Sequence, residues 1–540
     1  MRRAAVVALL LTLAGHALAD PAIGDPPEIL LGNRLFDETR FAQFAAVHGA
    51  PDPNAPLAVG DPVVDDTATT GTPLPGPFAG QAMNCRACHL DVEHKTTPGG
   101  GGRNYADFAR RSPIPARDDG ETHTVRNSQQ LLNASLRRDG AFALHFDAEF
   151  ATLEDLVAAT FTGRNFGWYP DERATAVAWI ARVVREDDGR GALAQAFGGA
   201  SYAGLFAGYD SLHPIDLPIP TARRFDVRRA SDEQILAAVA AFVADYVRSL
   251  VGAQDTAGAF AASPYDVFLR KNGLPVAPRR AESPARYTRR LARLVARLDA
   301  PAFVDAADGR FLLHPHDFVF GPDELHGLRT FLSPKAGNCA ACHPAPAFTD
   351  FGVHNTGATQ DEYDAVHGPG SFATIAIPDL AARSADPARF LPPSAAHPRA
   401  PGPFRAIARP DRPGFTDLGL WNVFANPDVA DTRRTRALAR LVCASRGTRG
   451  CPRRPAALLP ATVALFKTPG LRDLGHSAPY LHDGSRDTLA DVVRFYARSA
   501  DLARAGLLRN GARQLRKVRI ADAEIAPVAA FLRALDEDFE

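Results

Sequence analysis

The sequence predicts a mainly α fold built from two similar halves and long loops. Three observations carry that prediction. A short motif occurs twice, as Cys85-Arg86-Ala87-Cys88-His89 and as Cys339-Ala340-Ala341-Cys342-His343. The segments after each copy also repeat: Asp147 leads by five residues into Thr152-Leu153-Glu154-Asp155-Leu156-Val157, and Asp483 leads by the same interval into Thr488-Leu489-Ala490-Asp491-Val492-Val493. Apolar residues recur at helical spacing, whereas strand-like alternation is scarce.

Read in order, the chain begins with a leader. Arg2 and Arg3 form a basic n-region, Ala4 to Leu13 an apolar stretch, and Ala17-Leu18-Ala19 a small-residue cleavage site. Residues 1–19 are therefore expected to be removed, leaving a periplasmic or secreted protein that starts at Asp20. No later stretch approaches the length of a membrane span. The first half is assigned to residues 20–252. Ser231-Asp232-Glu233-Gln234 is a capping box, in which two side chains satisfy backbone donors at a helix start. Ile235, Val239, Phe242, Val243, Tyr246 and Leu250 then follow at helical spacing up to Gly252. The run Val239-Ala240-Ala241-Phe242-Val243 has a counterpart near the other end of the chain, Val528-Ala529-Ala530-Phe531-Leu532. Ala253 to Ser263 reads as a linker into the second half, residues 253–540. Pro378 to Pro413, rich in Pro and Arg, reads as a long surface excursion.

Composition narrows the class. The 540 residues are 46% apolar and 23% charged, which suits a globular chain with more than one core. Frequent Pro (44) and Gly (43) predict turns, since the apolar content is too high for disorder. Basic and acidic residues balance at 61 each, which argues against nucleic acid or an acidic membrane surface as partner.

The repeated motif carries the chemistry. C-x-x-C-H is the attachment signature of c-type haem. Two thiols add across the two vinyl groups of one porphyrin, and the adjacent His presents a ring nitrogen to the iron. Two copies predict two covalently bound haems, at Cys85/Cys88 and Cys339/Cys342, with His89 and His343 as iron ligands, and thus two cytochrome c-like domains related by duplication. Cys443 and Cys451 remain. In an exported chain a disulfide is the simple reading, and two free thiols are the alternative.

The longer motifs match a family. Phe466-Lys467-Thr468-Pro469-Gly470-Leu471-Arg472-Asp473, then Ala478-Pro479-Tyr480-Leu481-His482-Asp483-Gly484 and Thr488-Leu489, closely resemble the bacterial di-haem cytochrome c peroxidase/MauG superfamily. Ser263-Pro264-Tyr265-Asp266 and Cys342-His343-Pro344-Ala345-Pro346-Ala347-Phe348-Thr349-Asp350 resemble it too, and the likeness covers most of residues 70 to 540. The resemblance implies an enzyme in which hydrogen peroxide meets an open N-terminal haem. A fully ligated C-terminal haem relays electrons from a donor, or oxidising equivalents to a protein or organic substrate. It also implies calcium between the halves, held by the Asn127 side chain and the carbonyls of Lys467 and Pro469.

Within that family the axial ligand of the second haem separates the branches. The chain has two Met, Met1 and Met83, neither placed to serve the second haem. Tyr496 stands where the family's Met would, on the face shared by Leu489, Val492 and Val493. The match to MauG-like proteins makes it a phenolate iron ligand, a hard anionic donor that lowers the potential. The repeat places Thr160 opposite Tyr496. Thr is a poor haem ligand, so the first haem is expected to be open. Phe146 falls near the family's inter-haem Trp. The family's distal Glu falls near Gly163 to Trp168, where no carboxylate stands. Of the downstream pair Asp171 and Glu172, the longer Glu172 is expected to act as acid/base and Trp168 as electron relay; His94 and His123 are candidate distal ligands. Two other functions compete: an electron-transfer cytochrome with both irons saturated, and a di-haem oxygenase of an organic substrate, as in the superfamily's rubber-oxygenase branch.

Overall fold

The computed structural model describes residues 25–49, 51–55, 78–79, 82–89, 111–112, 114–136, 143–312, 314–429, 431–448, 450–452, 454–475 and 477–538. The leader (1–19) and His94 lie outside the described residues. The chain is mainly helical, and its described strands form two short antiparallel ribbons. Among the described residues no helix is long and apolar enough to cross a membrane.

Two helix crossings organise the molecule. In the first half α1 (Pro27–Phe36) packs on α3 (Asp232–Ser249). Helix α1 starts with Pro at its first position, carries Glu28 in its first turn and Arg34 in its last, and so matches its own dipole. Its partner α3 starts at the expected capping box: the Ser231 N–H donates to Gln234 Oε1 at 2.9 Å and the Gln234 N–H to Ser231 Oγ at 3.3 Å. In the second half α4 (Pro322–Leu332) packs on α6 (Asp522–Arg533) in the same way. Both crossings pass over a glycine. A β-carbon at Gly32 would sit 2.2 Å from the Phe242 carbonyl oxygen, and one at Gly327 would sit 1.9 Å from that of Pro527. Only a residue without a side chain permits either approach.

The internal repeat extends to backbone detail. Thr152 and Thr488 cap α2 (Leu153–Phe161) and α5 (Leu489–Ala505), each accepting an N–H three residues on at 3.1 Å. A tight turn precedes each helix, closed by bridges Leu144–Phe150 and Tyr480–Arg486. Both turns use left-handed backbone at matching places, His145 (φ 61°) with Leu481 (71°) and Ala148 (60°) with Gly484 (63°). Every one of these pairs is offset by 336 positions, as Asp483 is from Asp147.

The first core gathers buried residues from Leu30 to Leu250. The second joins Tyr265–Phe348 to Leu489–Leu535. A third core occupies most of the interval between, with Phe372, Leu391, Phe404, Trp421, Phe424 and Val442 in its interior. It closes at its base through β1 (Val353–His354) paired antiparallel with β2 (Phe466–Lys467). The Pro378–Pro413 run keeps most of its residues at the surface, as expected of an excursion, but is anchored into this core at a few points. Leu391 is fully buried, and the Arg383 guanidinium, also buried, donates to the Trp421, Phe424 and Ala425 carbonyls. Those donors satisfy carbonyls that the irregular chain would otherwise leave unpaired in an apolar interior. Cys443 and Cys451 form a disulfide at the end of the helix Thr432–Arg446.

Ion pairs fasten the third unit to the first half. Arg126 meets Asp147 at 2.8 Å and Asp417, and Arg405 meets Asp147 at 2.6 Å and Glu149 at 3.2 Å. Asp147 and Asp417 are buried, so each charge depends on these partners.

Candidate haem cavity

A cavity of about 1820 Å³ runs through the molecule and is lined by both C-x-x-C-H motifs. Sites for single small ligands usually occupy about 300–1,000 Å³, so this volume suits two large groups. Cys85, Cys88 and His89 line one part, and Cys339, Cys342 and His343 the other.

Each motif forms one turn of 3₁₀ helix, Cys85–Ala87 and Cys339–Ala341, which brings both thiols and the following His to one side. His89 Nδ1 lies 2.7 Å from the Gln129 carbonyl oxygen, and His343 Nδ1 lies 2.8 Å from that of Phe348. A ring that donates from Nδ1 keeps its proton there and presents the Nε2 lone pair, the arrangement a metal-bound His requires. Burial holds both rings neutral: it lowers His89 to about 4 and also lowers His343. Burial likewise raises Cys88 to about 11 and Cys339 to about 12. Paired thiols, a neutral oriented imidazole and a large cavity therefore recur in both halves, and these residues fit c-type haem.

The two ends of the cavity differ at the repeated helix position. Thr160 lines the cavity, and its hydroxyl is turned back onto the Leu156 carbonyl at 2.9 Å. Tyr496 also lines the cavity. Its hydroxyl makes no hydrogen bond among the described residues. Burial, reinforced by Cys342 and Cys339 nearby, raises it above the usual phenol value. The phenol therefore lies close to the second motif, with no hydrogen-bond partner among the described residues.

At the seam between the halves, the Lys467 N–H donates to the Phe146 carbonyl at 2.6 Å. His482 stacks on Phe466 at 3.7 Å and meets Phe146 edge-on at 6.3 Å. Asn127 is buried there too. Its N–H donates to the His482 carbonyl at 2.8 Å, and its side-chain amide donates to Pro479. Asn127, Lys467 and Pro469 all line the cavity, although the bond from the Asn127 side chain goes to Pro479.

Two expected roles meet different surroundings. Glu172 is engaged elsewhere: Arg117 grips both carboxylate oxygens at 2.7 and 3.0 Å, Oε2 accepts the Tyr169 N–H at 2.8 Å, and Glu172 is absent from the cavity lining. In this structure its carboxylate is thus held by Arg117 and the Tyr169 N–H. Trp168 does line the cavity, but its Nε1–H is committed to the Phe41 carbonyl at 3.1 Å within the first core. The rings across the seam are those of Phe146, His482 and Phe466. His123 lines the cavity, with Nδ1 2.9 Å from Thr122 Oγ1; burial lowers its pKa, helped by Arg111 and Arg409.

Sequence reasoning missed the wall built from the third unit. Arg399 lies over the Tyr169 ring at 3.7 Å, and Arg409 pairs with Glu121 at 2.8 Å; both arginines line the cavity. The Arg-rich composition of the Pro378–Pro413 run was the available signal.

No family model matches the chain. A stretch of 84 residues is 36% identical to the methylamine utilization protein MauG of Methylophilus methylotrophus; it is 15% of this chain and 24% of that protein. Among solved structures, the diheme peroxidase BthA from Burkholderia thailandensis is similar at a TM-score of 0.43 and 18% identity, over 95% of this chain and 87% of that one. A MauG-like protein associated with microbial copper homeostasis is similar at a TM-score of 0.43 and 17% identity, over 95% and 90%. The chain thus spans about a quarter of the length of the MauG relative that it matches, and its likeness to that protein is confined to this stretch.

Proposed function

We propose that this protein is an exported di-haem c-type peroxidase of the MauG kind. With both haems bound, hydrogen peroxide would be reduced at the open N-terminal site, with the electrons supplied by an electron donor or by an oxidised organic or protein substrate, and Tyr496 would hold the C-terminal group that relays them. The observation that carries this reading is the asymmetry at one repeated position: Thr160 bonded to its own helix in one half, and in the other Tyr496 beside the Cys339/Cys342 motif with no hydrogen-bond partner among the described residues.

Haem c, when bound, supplies the iron redox chemistry. The chain's residues do the rest. Cys85 and Cys88, and Cys339 and Cys342, anchor the two groups, while Gln129 and Phe348 orient the proximal imidazoles. Thr160 keeps its hydroxyl on Leu156 and leaves its side open to a small ligand. His123, held neutral by its surroundings, is a base able to take a proton where Glu172 is committed to Arg117. Phe146, His482 and Phe466 fill the seam with aromatic rings, and Trp168 adds an indole to the cavity wall, as a relay requires. Asn127 offers a carboxamide oxygen, and Lys467 and Pro469 offer backbone carbonyls, the hard donors that calcium takes.

The test is the intact mass of the mature protein with its ferric spectrum. The account expects two haem masses above the polypeptide from Asp20, and one high-spin and one low-spin site. One haem, or haem extracted by acid–acetone, overturns the attachment. Two low-spin sites would assign the protein to electron transfer. Product analysis with candidate organic substrates separates peroxidase from oxygenase.

A further inference from the structure

Away from the cavity, three side chains converge where the chain end meets the loop before α4. His314, His316 and Asp536 each offer one ligand atom, and these atoms all lie within 4.8 Å of one another. His316 Nε2 is 3.0 Å from Asp536 Oδ2, and His314 Nδ1 is 3.9 Å from the same oxygen. None of the three lines the haem cavity. We propose that His314 Nδ1, His316 Nε2 and Asp536 Oδ2 form a binding site for a divalent transition-metal cation of the zinc type.

The surroundings match that use atom by atom. Zinc takes His nitrogen and carboxylate oxygen at about 2.0–2.2 Å, which sets tetrahedral ligand atoms about 3.3–3.5 Å apart, inside the spread seen here. A metal-bound His donates its other ring N–H to a carbonyl or carboxylate. His314 Nε2 lies 3.0 Å from the Glu537 carbonyl oxygen and 3.3 Å from Asp473 Oδ1. His316 Nδ1 lies 3.2 Å from the Asp317 carbonyl oxygen. Both rings therefore turn opposite nitrogens, Nδ1 and Nε2, toward the same Asp536 oxygen. The carboxylate is itself aimed: the Gly475 N–H donates to Oδ1 at 3.0 Å and leaves Oδ2 facing the imidazoles. Gly475 is needed for the approach, since a β-carbon there would lie 2.4 Å from Asp536 Oδ2 and 2.8 Å from His314 Nδ1.

Setting and access agree. Asp473 and Asp536 are buried carboxyl groups beside His314, at 3.3 and 3.9 Å from its ring nitrogens. His316 is partly exposed, with 23% of its side chain accessible, and so gives an entry path and an outward coordination position for water. A bound cation would fasten the chain end after α6 to the 314–317 loop.

The test uses mature holoprotein stripped with EDTA, returned to excess Ca²⁺ so that the site between the halves stays filled, and titrated with Zn²⁺ by calorimetry at pH 7.5. One saturable equivalent of micromolar or tighter affinity is expected, with a rise in Tm and no change in the haem spectrum. His316→Ala, at a partly exposed position, should keep the haem spectrum and lose the Zn²⁺ site. Asp473→Asn should weaken binding by about 10–100-fold, the usual effect of losing a partner of a ligating His. Absence of saturable binding overturns the proposal, and so does wild-type affinity in His316→Ala. A Tm rise that persists in His316→Ala places the ion elsewhere and overturns it equally.

Discussion

Tyr496→Phe separates an iron ligand from a packing residue. Tyr496 sits on α5 with its ring 5.5 Å from Phe495, and it packs against the small cluster of Ala503, Leu508 and Leu515. Phe keeps those contacts. The hydroxyl makes no hydrogen bond among the described residues, so its removal strands no donor or acceptor. Loss of a made hydrogen bond costs about 0.5–1.5 kcal/mol, and that cost is absent here. The Tm should therefore move by less than about 2–4 °C, the shift that accompanies 1 kcal/mol in a domain of 150–250 residues. The iron is another matter. Burial disfavours the phenolate in the polypeptide alone, so the iron's positive charge must supply the compensation. Without the hydroxyl that site opens, and the ferric low-spin signal should disappear from one haem of the two. Tyr496→Met should instead restore a neutral ligand and raise the potential. Absorption and electron paramagnetic resonance of the ferric protein read the ligand, and thermal melting reads the packing. An unchanged ferric spectrum in Tyr496→Phe would show that Tyr496 only packs and would refute the ligand assignment.

Gly327→Ala puts a methyl group 1.9 Å from the Pro527 carbonyl oxygen, so α4 and α6 must separate. Overpacking of that kind costs about 1–3 kcal/mol, seen as a lower urea midpoint; an unchanged midpoint refutes the close crossing. Glu362 has its pKa raised to about 7, first by burial and then by Asp483 and Asp417, against the lowering effect of Arg111. An acid whose folded pKa is raised favours the fold below its unfolded value near 4.5, and that contribution is lost as pH rises through 7. Glu362→Gln should therefore gain stability relative to wild type between pH 4.5 and 7, by at most roughly 3 kcal/mol, and parallel stability–pH curves would contradict this. His123→Gln should slow the reaction with peroxide by about 10²–10⁴-fold with both haems retained, as loss of a general base does; an unchanged rate removes His123 from the chemistry.

The C-x-x-C-H motifs and the repeat were legible in the sequence because each is local. A thiol pair needs only one turn, and Thr152 and Thr488 announce their helices within three residues. The repeat proves stronger in the backbone than in the side chains, since left-handed turns at His145 and Leu481 leave no common residue type to find. The third core was not legible. In its Pro378–Pro413 run the apolar residues are scattered among Pro and Arg without helical or strand period, and Arg383, folded inward onto three carbonyls, anchors that run to the core. Glu172 stands out in the sequence as the longer of the two carboxylates nearest downstream of Trp168. Arg117, 55 positions away, decides where it points, and that partner carries no local signal. The same holds for His314, His316 and Asp536, which meet only because the chain end folds back past Gly475.

The central claim is that the two haems play unequal parts, one open and one closed by Tyr496. Stopped-flow mixing of the diferric protein with one equivalent of hydrogen peroxide tests it most directly. The account predicts a rapid, long-lived spectral change at both haems that two electrons reverse, without prior reduction of either haem. No change, or bleaching without a persistent species, would contradict it.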